Sequence, residues 1–363
     1  MSEFTALGAH IYAGGFTVGV SPYFKVLAHF EDAPYGAETV QHNFPNLPIY
    51  TGGLMKWPLN EYKNKVDFGY ANPPCAVWSV IGRSSRQKGG KKTWDQDPRV
   101  DCWQQVFAAF MALEAPIFAI ESVTQAFTKG RSMIDDLASK AHAAGYNVTH
   151  LLVNAQYVGG AQRRKRYFFI AHKYEIPWET IQYQKYIDNP QLPGPYLEQV
   201  RHDPGFMSMK MNQKHLDLLP KLKQGQGLRH LWEQENPPET WVHNRFGVSG
   251  RPRLTLHRID PNRVLGTIVG CHFIHPTEDR ALGNNELKVL MGFPTEYKFV
   301  HSNESAVPSL IARGVSPQVA LWLARQVNRA LTLKIPVIAK NYTLIRRCLE
   351  PKDAPNEFAV VNT

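Results

Sequence analysis

The segment "VDFGYANPPC", residues 66–75, joins an apolar run to two consecutive prolines and a cysteine. Because proline cannot donate a hydrogen bond to a sheet, residues 66–71 are predicted to form a strand that ends before Pro73. Similar short runs alternate with helical periodicity up to about residue 175, with strands predicted at 24–30, 116–123, 147–153 and 166–173 and helices at 99–115 and 132–146. This alternation predicts βαβ units, and therefore an α/β fold with a doubly wound, mostly parallel sheet.

Reactive side chains follow three of the predicted strands. Glu31 comes directly after the strand at 24–30, Cys75 follows the strand at 66–71, and Glu121 lies near the end of the strand at 116–123. Ligands of open α/β sheets bind beyond the carboxyl ends of the strands. The common placement of these three residues therefore predicts a site at that edge of the sheet.

Composition divides the chain into four parts. Residues 1–174 are predicted to form the main α/β domain, and 175–257, richer in Pro, Gln, Asn and Lys, a separate smaller domain. The globular pattern resumes over 258–335, whose final amphipathic helix is expected to pack on the N-terminal part. Residues 336–363 are predicted to be a C-terminal tail, loosely held from about residue 350.

The 363-residue chain has a formal net charge of +10, with basic blocks at 82–92 and 159–166. This balance favours a polyanionic partner such as nucleic acid, although a solvated basic surface explains it as well. The four cysteines are far apart, which argues against disulfides or a zinc site and favours a reducing compartment. With no apolar run long enough for a bilayer and no secretory signal, we expect a cytoplasmic protein of a bacterial or phage-infected cell.

Cys75 has two interpretations when it is taken alone. A lone cysteine is more often a small buried hydrophobic residue than a nucleophile. Two prolines stiffen the backbone before it, however, and nearby basic residues favour its thiolate. In "AQRRKRYFF", Gln162, Arg164 and Arg166 alternate at the start of a strand and are predicted to point the same way, as a solvated edge or as an anion or base site.

Taken together, the ordered blocks resemble the DNA cytosine-5 methyltransferase family over about residues 7–330. The blocks are a glycine turn, Pro-Cys, Glu-x-Val, Gln-x-Arg-x-Arg, a variable region and a final helix; "HPTEDRALGNNELKVLMGFP" (275–294) also resembles a late family segment. The resemblance implies a Rossmann-like class I methyltransferase domain, a target-recognition domain at 175–257, and DNA methylation with S-adenosyl-L-methionine as the methyl donor.

The resemblance also implies a role for each block. Cys75 would add to C6 of a cytosine flipped out of duplex DNA, which makes C5 nucleophilic towards the methyl group. Glu121 would handle the proton at N3, and Arg164 would stabilise the O2 side of the ring. The catalytic set it implies is Cys75, Glu121, Arg164, Arg166 and Gln162.

Two further sets of residues follow from the same resemblance. Residues expected to bind the cofactor are Tyr12, Ala13, Gly14, Gly15, Phe16, Glu31, Asp32, Pro73, Arg313, Gly314 and Val315, with Glu31 accepting hydrogen bonds from the ribose. Residues expected to bind DNA are Ser79, Arg83, Ser84, Ser85, Arg86 and Lys88 in a mobile basic loop, and Arg245, Arg251 and Arg253 in the recognition domain. No metal site is expected.

The chain departs from the family pattern mainly where the cofactor would bind. His10 stands where an aspartate is usual, "YTGGLMKWP" (50–58) lacks the usual acid, Ser122 replaces an asparagine, Ala76 replaces a glutamine, and Arg313 precedes Gly314 where Gly-Asn is usual. These changes are consistent with ordinary divergence. They also leave open a modified, for example carboxylated, S-adenosylmethionine paired with Arg313.

The sequence is also compatible with a non-catalytic DNA-binding relative, a tRNA cytosine-5 methyltransferase or a purely structural nucleic-acid-binding protein. The expected partner is double-stranded DNA, the expected state is a monomer without membrane association, and a companion restriction endonuclease is a candidate partner. Restriction–modification, host regulation and phage self-protection all fit the sequence, which does not reveal the target site.

Overall fold

The computed structural model describes residues 4–78, 94–95, 97–209, 216–227, 230–231, 256–270, 272–337, 342–356 and 358–361. The chain divides into two compact units. The first unit comprises Met1–Gly160, Arg164–Asn189 and Gly314–Thr363, and the second comprises Ala161–Arg163 and Pro190–Arg313.

Eleven strands lie in the described ranges, nine of them in one sheet of the first unit. They are β1 (Thr5–Ala9), β2 (Lys25–Phe30), β3 (Ile49–Tyr50), β4 (Phe68–Ala71), β5 (Ile117–Val123), β6 (Asn147–Asn154), β7 (Lys165–His172), β8 (His257–Arg258), β9 (Phe273–Ile274), β10 (Thr343–Cys348) and β11 (Phe358–Val361). The sheet order is β11-β10-β6-β7-β5-β4-β1-β2-β3. Neighbours pair in parallel, except that β7 is antiparallel to β5 and β6, and β11 is antiparallel to β10.

Eleven α-helices accompany these strands in the same part of the chain. They are α1 (Gly15–Val20), α2 (Pro34–Asn43), α3 (Leu59–Tyr62), α4 (Asp101–Ala112), α5 (Thr124–Lys129), α6 (Arg131–Ala143), α7 (Tyr183–Asp188), α8 (Pro193–Gln199), α9 (Asn284–Met291), α10 (Val307–Arg313) and α11 (Pro317–Leu333). None of the described helices is long and apolar enough to span a bilayer.

Helices cover both faces of the large sheet. Apolar residues of α4 and α6 pack into a core on one face, and those of α1 and α11 into a core on the other. The predicted doubly wound, mostly parallel α/β fold is therefore confirmed. Its strands bury nearly every side chain because both faces are covered, which explains their apolar composition.

The last long helix packs tightly against the first. A Cβ atom added at Gly19 in α1 would lie 2.5 Å from the main-chain nitrogen of Leu321 and 2.5 Å from the carbonyl oxygen of Pro317, both in α11. Only glycine allows this approach. Gly314 and Val315, which precede α11, thereby return to the same unit as the glycine turn before α1.

Part of the C-terminal segment, which was predicted to be a tail, forms strands of the large sheet. Strand β10 pairs in parallel with β6, and β11 closes the edge beyond it. The Arg346 guanidinium lies over the rings of Trp178 and Trp322, with its carbon 4.9 Å and 5.1 Å from their centroids, and donates a hydrogen bond to the Glu179 carbonyl. This contact of a buried cation with two indoles anchors β10, and local sequence periodicity does not reveal it.

The second unit differs in extent from the compositional segment 175–257. Ile176, Ile181 and Tyr183 are buried in the core of the first unit, which therefore continues to Asn189. Within the second unit, Arg258 of β8 donates hydrogen bonds to the carbonyls of His275 and Leu219, so residues after 257 stabilise this unit up to Arg313. Residues far apart in sequence share this small core, and composition alone does not reveal them.

Candidate active site

The register of β4 against β5 builds the centre of the site. Ala71 pairs with Ile120, so the next positions, Asn72 and Glu121, lie side by side. Pro73 and Pro74 then end the strand, and Cys75 begins a 3-10 helix, Cys75–Val77. Two adjacent parallel strands therefore present a thiol and a carboxyl group at the same edge.

The Glu121 carboxyl group is almost completely buried and has two partners. Arg166 Nε lies 3.0 Å from Oε1, and Asn72 Nδ2 donates to Oε2 at 2.5 Å. Arg166 reaches Glu121 because β7 runs antiparallel to β5. Burial raises the pKa of Glu121, while Arg166, Arg164 and the Asn72 hydrogen bond act in the opposite direction. A buried carboxyl group with a raised pKa is suited to exchanging a proton with a ligand.

Cys75 is half-buried beside these charges. Burial and the Glu121 charge raise the pKa of the Cys75 thiol, and Arg166 and Arg164 lower it. The arginines thus offset part of the cost of forming a thiolate in a partly desolvated place. A thiol, a carboxyl and two guanidinium groups together can support nucleophilic addition with proton transfer.

Arg164 is a buried cation at this edge. Its Nη2 donates to the carbonyl oxygen of Gly314 at 2.8 Å, and its own carbonyl accepts from Ala155 N at 2.9 Å. Burial and the charge of Arg166 lower the pKa of Arg164, whereas Glu121 and Cys75 raise it. This fixed, desolvated positive charge is suited to stabilising an anion that develops on a bound ligand.

Gln162 belongs to the second unit, not to the unit that contains the two arginines. Its Nε2 lies 3.1 Å from Met291 Sδ, and its Oε1 accepts from Ile268 N at 3.2 Å. Strand β7 begins only at Lys165, so the predicted alternation from Gln162 through Arg166 does not run along one continuous strand. The structure thus joins Cys75, Glu121, Arg164 and Arg166 in one cluster and holds Gln162 by other contacts.

The end of β2 carries a second carboxyl group. Glu31 Oε2 accepts from Tyr12 N at 2.5 Å, and Oε1 accepts from Ala33 N at 2.8 Å. Burial raises the pKa of Glu31 to about 7, against the lowering effect of these main-chain donors. A carboxylate oxygen has more than one lone pair, so Glu31 keeps acceptor capacity for hydroxyl groups of a ligand.

The glycine turn before α1 has an unusual backbone. His10 and Tyr12 have φ of 48° and 53°, in the left-handed region, and Gly14 has φ of 78°. Backbone strain of this kind at non-glycine residues is typical of ligand sites. Asp32 Oδ1 accepts from the main-chain nitrogens of Gly52 and Gly53 at 2.9 Å each, and a Cβ at either glycine would meet no atom of the described residues within 4 Å.

The other residues expected at the cofactor lie in varied surroundings. Phe16 is a core residue, with its ring 4.9 Å from that of Tyr70. Ala13, Gly15, Pro73 and Val315 are buried as well. Arg313 ends α10 in the second unit.

The predicted DNA-binding residues lie outside the described residues. They are Ser79, Arg83, Ser84, Ser85, Arg86 and Lys88 in the basic loop and Arg245, Arg251 and Arg253 in the recognition region.

Asn72 is the site residue that sequence reasoning missed. It stands three residues before Cys75, and its side chain touches the catalytic candidate Glu121 directly. The available signal was strand alignment: if "FGYA" and "IFAI" are parallel neighbours ending at the same edge, position 72 falls beside position 121.

A known protein family and several known proteins are similar to this chain. The family profile of C-5 cytosine-specific DNA methylases matches residues 10–329. Among relatives, the type II methyltransferase M.DdeI of Desulfomicrobium norvegicum is 23% identical over 376 residues, covering 87% of this chain and 88% of the relative. The type II methyltransferase M1.HphI of Haemophilus parahaemolyticus is 24% identical, covering 85% and 84%.

Solved structures show the same fold. A crystal structure assigned as a DNA modification methyltransferase encoded within an Escherichia coli prophage has a TM-score of 0.64 at 18% identity, covering 91% of this chain and 100% of that one. Schizosaccharomyces pombe Dnmt2 has a TM-score of 0.56 at 12% identity, covering 91% and 99%. At these identities the likeness concerns the fold alone, which is that of class I methyltransferases. The profile match over most of the sequence goes further: the chain belongs to the family of C-5 cytosine-specific DNA methylases and is a DNA (cytosine-5-)-methyltransferase.

Proposed function

We propose that this enzyme flips a cytosine out of duplex DNA and methylates it at C5, with Cys75 as the nucleophile. The observation that carries the proposal is the cluster of Cys75, Glu121, Arg164 and Arg166 at one edge of the sheet. Thiolate addition to C6 needs a nucleophile, a proton for N3 and positive charge near the ring, and the cluster offers all three.

The chain's residues divide the chemistry between them. The Cys75 sulfur forms a bond to C6, and the ring electrons that this displaces make C5 nucleophilic while Glu121 supplies a proton to N3. Arg164 stabilises charge at the O2 side, and Arg166 holds the Glu121 carboxyl group in place. After C5 has gained the methyl group, a base removes the C5 proton. The C6–S bond then breaks with its electron pair returning to the Cys75 sulfur, and N3 gives its proton back to Glu121. Because the target atoms are stacked inside a duplex, these chemical steps require that the base is flipped out.

The residues at the ends of β1 and β2 fit S-adenosyl-L-methionine, which supplies an electrophilic methyl group when bound. Glu31 accepts hydrogen bonds from the ribose hydroxyl groups, and the turn at Tyr12 to Gly14 lets main-chain atoms approach the ligand. A modified donor that pairs with Arg313 is the alternative, and product masses distinguish the two.

The remaining properties follow from the same proposal. A net charge of +10 suits double-stranded DNA, and the basic segment 82–92 and the arginines between 241 and 254 are its expected contacts. The relatives are named type II methyltransferases, which supports a companion restriction endonuclease. We further propose a cytoplasmic monomer that acts without membrane association.

Four measurements test the proposal. Methylation-sensitive sequencing of DNA from cells that express the protein is expected to reveal 5-methylcytosine in a fixed sequence context, absent with Cys75→Ser. A duplex with 5-fluorocytosine at that site is then expected to form a covalent adduct that includes Cys75.

Product masses from purified enzyme with S-adenosylmethionine or its carboxylated form identify the donor, and a tRNA substrate tests for methylation of RNA. A modified exocyclic nitrogen, or full activity of Cys75→Ser, overturns the mechanism; no adduct and no product indicate a non-catalytic relative.

A further inference from the structure

Asn72 occupies a defined place beside the reacting groups. Its main-chain nitrogen donates to the Ala9 carbonyl at 3.3 Å, and the proline that follows restricts Asn72 to extended backbone. The β4–β5 register sets the side chain next to Glu121, where Nδ2 donates to Oε2 at 2.5 Å. Asn72 is 8% exposed and Glu121 is 2% exposed, so the contact is shielded from water.

The amide has a second functional atom at the same place. An ionised carboxylate only accepts hydrogen bonds, so the Asn72 NH₂ group faces Glu121 and Oδ1 points away from it. No donor among the residues that the structure describes bonds to Asn72 Oδ1. Oδ1 is therefore an available acceptor, and it belongs to the same amide group that contacts Glu121, the proposed proton donor to N3.

The Watson–Crick edge of cytosine matches this pair of groups. N3 takes a hydrogen bond from a protonated carboxyl group, and the adjacent 4-amino group offers two N–H donors. Uracil presents a carbonyl oxygen in place of that amino group, and this oxygen would face another oxygen at Asn72. A site built to hydrogen-bond a substrate N–H rejects an analogue that lacks it.

Resting on the proposed function, we propose that Asn72 determines base specificity: Nδ2 positions Glu121 for N3, and Oδ1 accepts a hydrogen bond from the 4-amino group of the flipped cytosine. The Asn72 hydrogen bond also favours the ionised form of Glu121. One side chain thus links recognition of the 4-amino group to the orientation of the acid.

The test compares Asn72→Ala and Asn72→Asp with the parent on two duplexes that differ only in cytosine or uracil at the target position. The matched control is Asn147→Asp, a buried asparagine at the opposite end of the sheet whose Oδ1 acceptor for Tyr342 N is retained by aspartate. If the parent does not methylate cytosine, the proposed function itself has failed, which is a separate outcome from any result below.

For Asn72→Ala we expect the preference for cytosine over uracil in kcat/KM to fall about tenfold or more, because the acceptor is lost. An unchanged preference overturns the proposal. Asn72→Asp keeps the acceptor and the shape, so it is expected to retain the preference. Asn72→Asp also places a second carboxylate beside Glu121. This negative charge raises the pKa of Glu121 and shifts the pH profile of kcat to higher pH. If Asn72→Ala does not fold, the aspartate variant decides: an unshifted profile overturns the proposal.

Discussion

Arg166 Nε lies 3.0 Å from Glu121 Oε1, and the two side chains are 14% and 3% exposed. They come from the antiparallel neighbours β7 and β5, so the pair joins two non-consecutive strands at the reacting edge. Beside it, Lys165 pairs with Glu350 at positions that are 44% and 38% exposed. Neighbouring residues of one strand therefore provide a buried and an exposed ion pair in the same fold.

We expect Arg166→Met to destabilise the protein by about 3–5 kcal/mol, because it leaves a buried carboxylate without its cationic partner. Lys165→Met, the matched control, is expected to cost about 0–1 kcal/mol, since solvent screens that pair. Urea denaturation of both variants measures the difference. Equal losses in the two variants would contradict the assignment of Arg166 to a buried pair.

Chemical modification of Cys75 is expected to depend strongly on pH. Burial raises the pKa of this thiol, so the thiolate is a minor form at pH 7 and its fraction increases about tenfold per pH unit below the pKa. Iodoacetamide labelling of the protein without DNA, followed by peptide mass spectrometry, is expected to accelerate from pH 6.5 to 9. Cys75→Ser identifies the peptide, and a labelling rate that levels off below pH 8 would refute the prediction.

Cofactor affinity is expected to increase with pH through the titration of Glu31. Its pKa of about 7 lies above the usual value, so below pH 7 the carboxyl group is mostly neutral and is a poor acceptor of hydrogen bonds from the ribose hydroxyl groups. Between pH 6 and 8 the ionised fraction increases about tenfold, and the Kd for S-adenosylmethionine should decrease correspondingly. Calorimetric titration measures this change.

The Glu31→Gln variant should bind more weakly and without that pH dependence, whereas Glu38→Gln, an exposed position in α2, should behave like the parent. For the protein without ligand, the effect of pH on folding stability has the opposite sign to its effect on cofactor affinity. Because the folded state holds the Glu31 proton more tightly than the unfolded chain, this residue's contribution to stability decreases as pH increases from about 4.5 to about 7. An affinity that is constant from pH 6 to 8 would contradict the role of Glu31.

Arg346 is expected to be a major stabilising residue of the C-terminal strands. We predict that Arg346→Met lowers the free energy of unfolding by about 2–4 kcal/mol, because two cation–π contacts and a main-chain hydrogen bond are lost. Arg347→Met, exposed on the same strand, should change it by less than about 0.5 kcal/mol. Denaturant midpoints provide the comparison, and similar midpoints for both variants would show that the contacts of Arg346 contribute little.

The local sequence pattern predicted individual strands and helices well, but it did not predict which residues of distant segments contact each other. The apolar run before Pro73 and the helical period at 99–115 correspond closely to β4 and α4. The contact of Asn72 with Glu121 stayed hidden because it depends on the register between two strands 49 residues apart. Arg346 was assigned to a tail because the indoles that hold it come from a loop and from α11.

The sequence by itself determined the α/β class, the order of the chemical blocks and the family, since each depends on residue types at short spacing. Only the tertiary structure decided that Asn72 and Arg166 hold Glu121 from opposite sides, that Gln162 belongs to the second unit, and that the C-terminal residues extend the sheet. The reason is physical: burial and hydrogen bonding between distant segments depend on strand register and side-chain packing, which no local stretch of residues encodes.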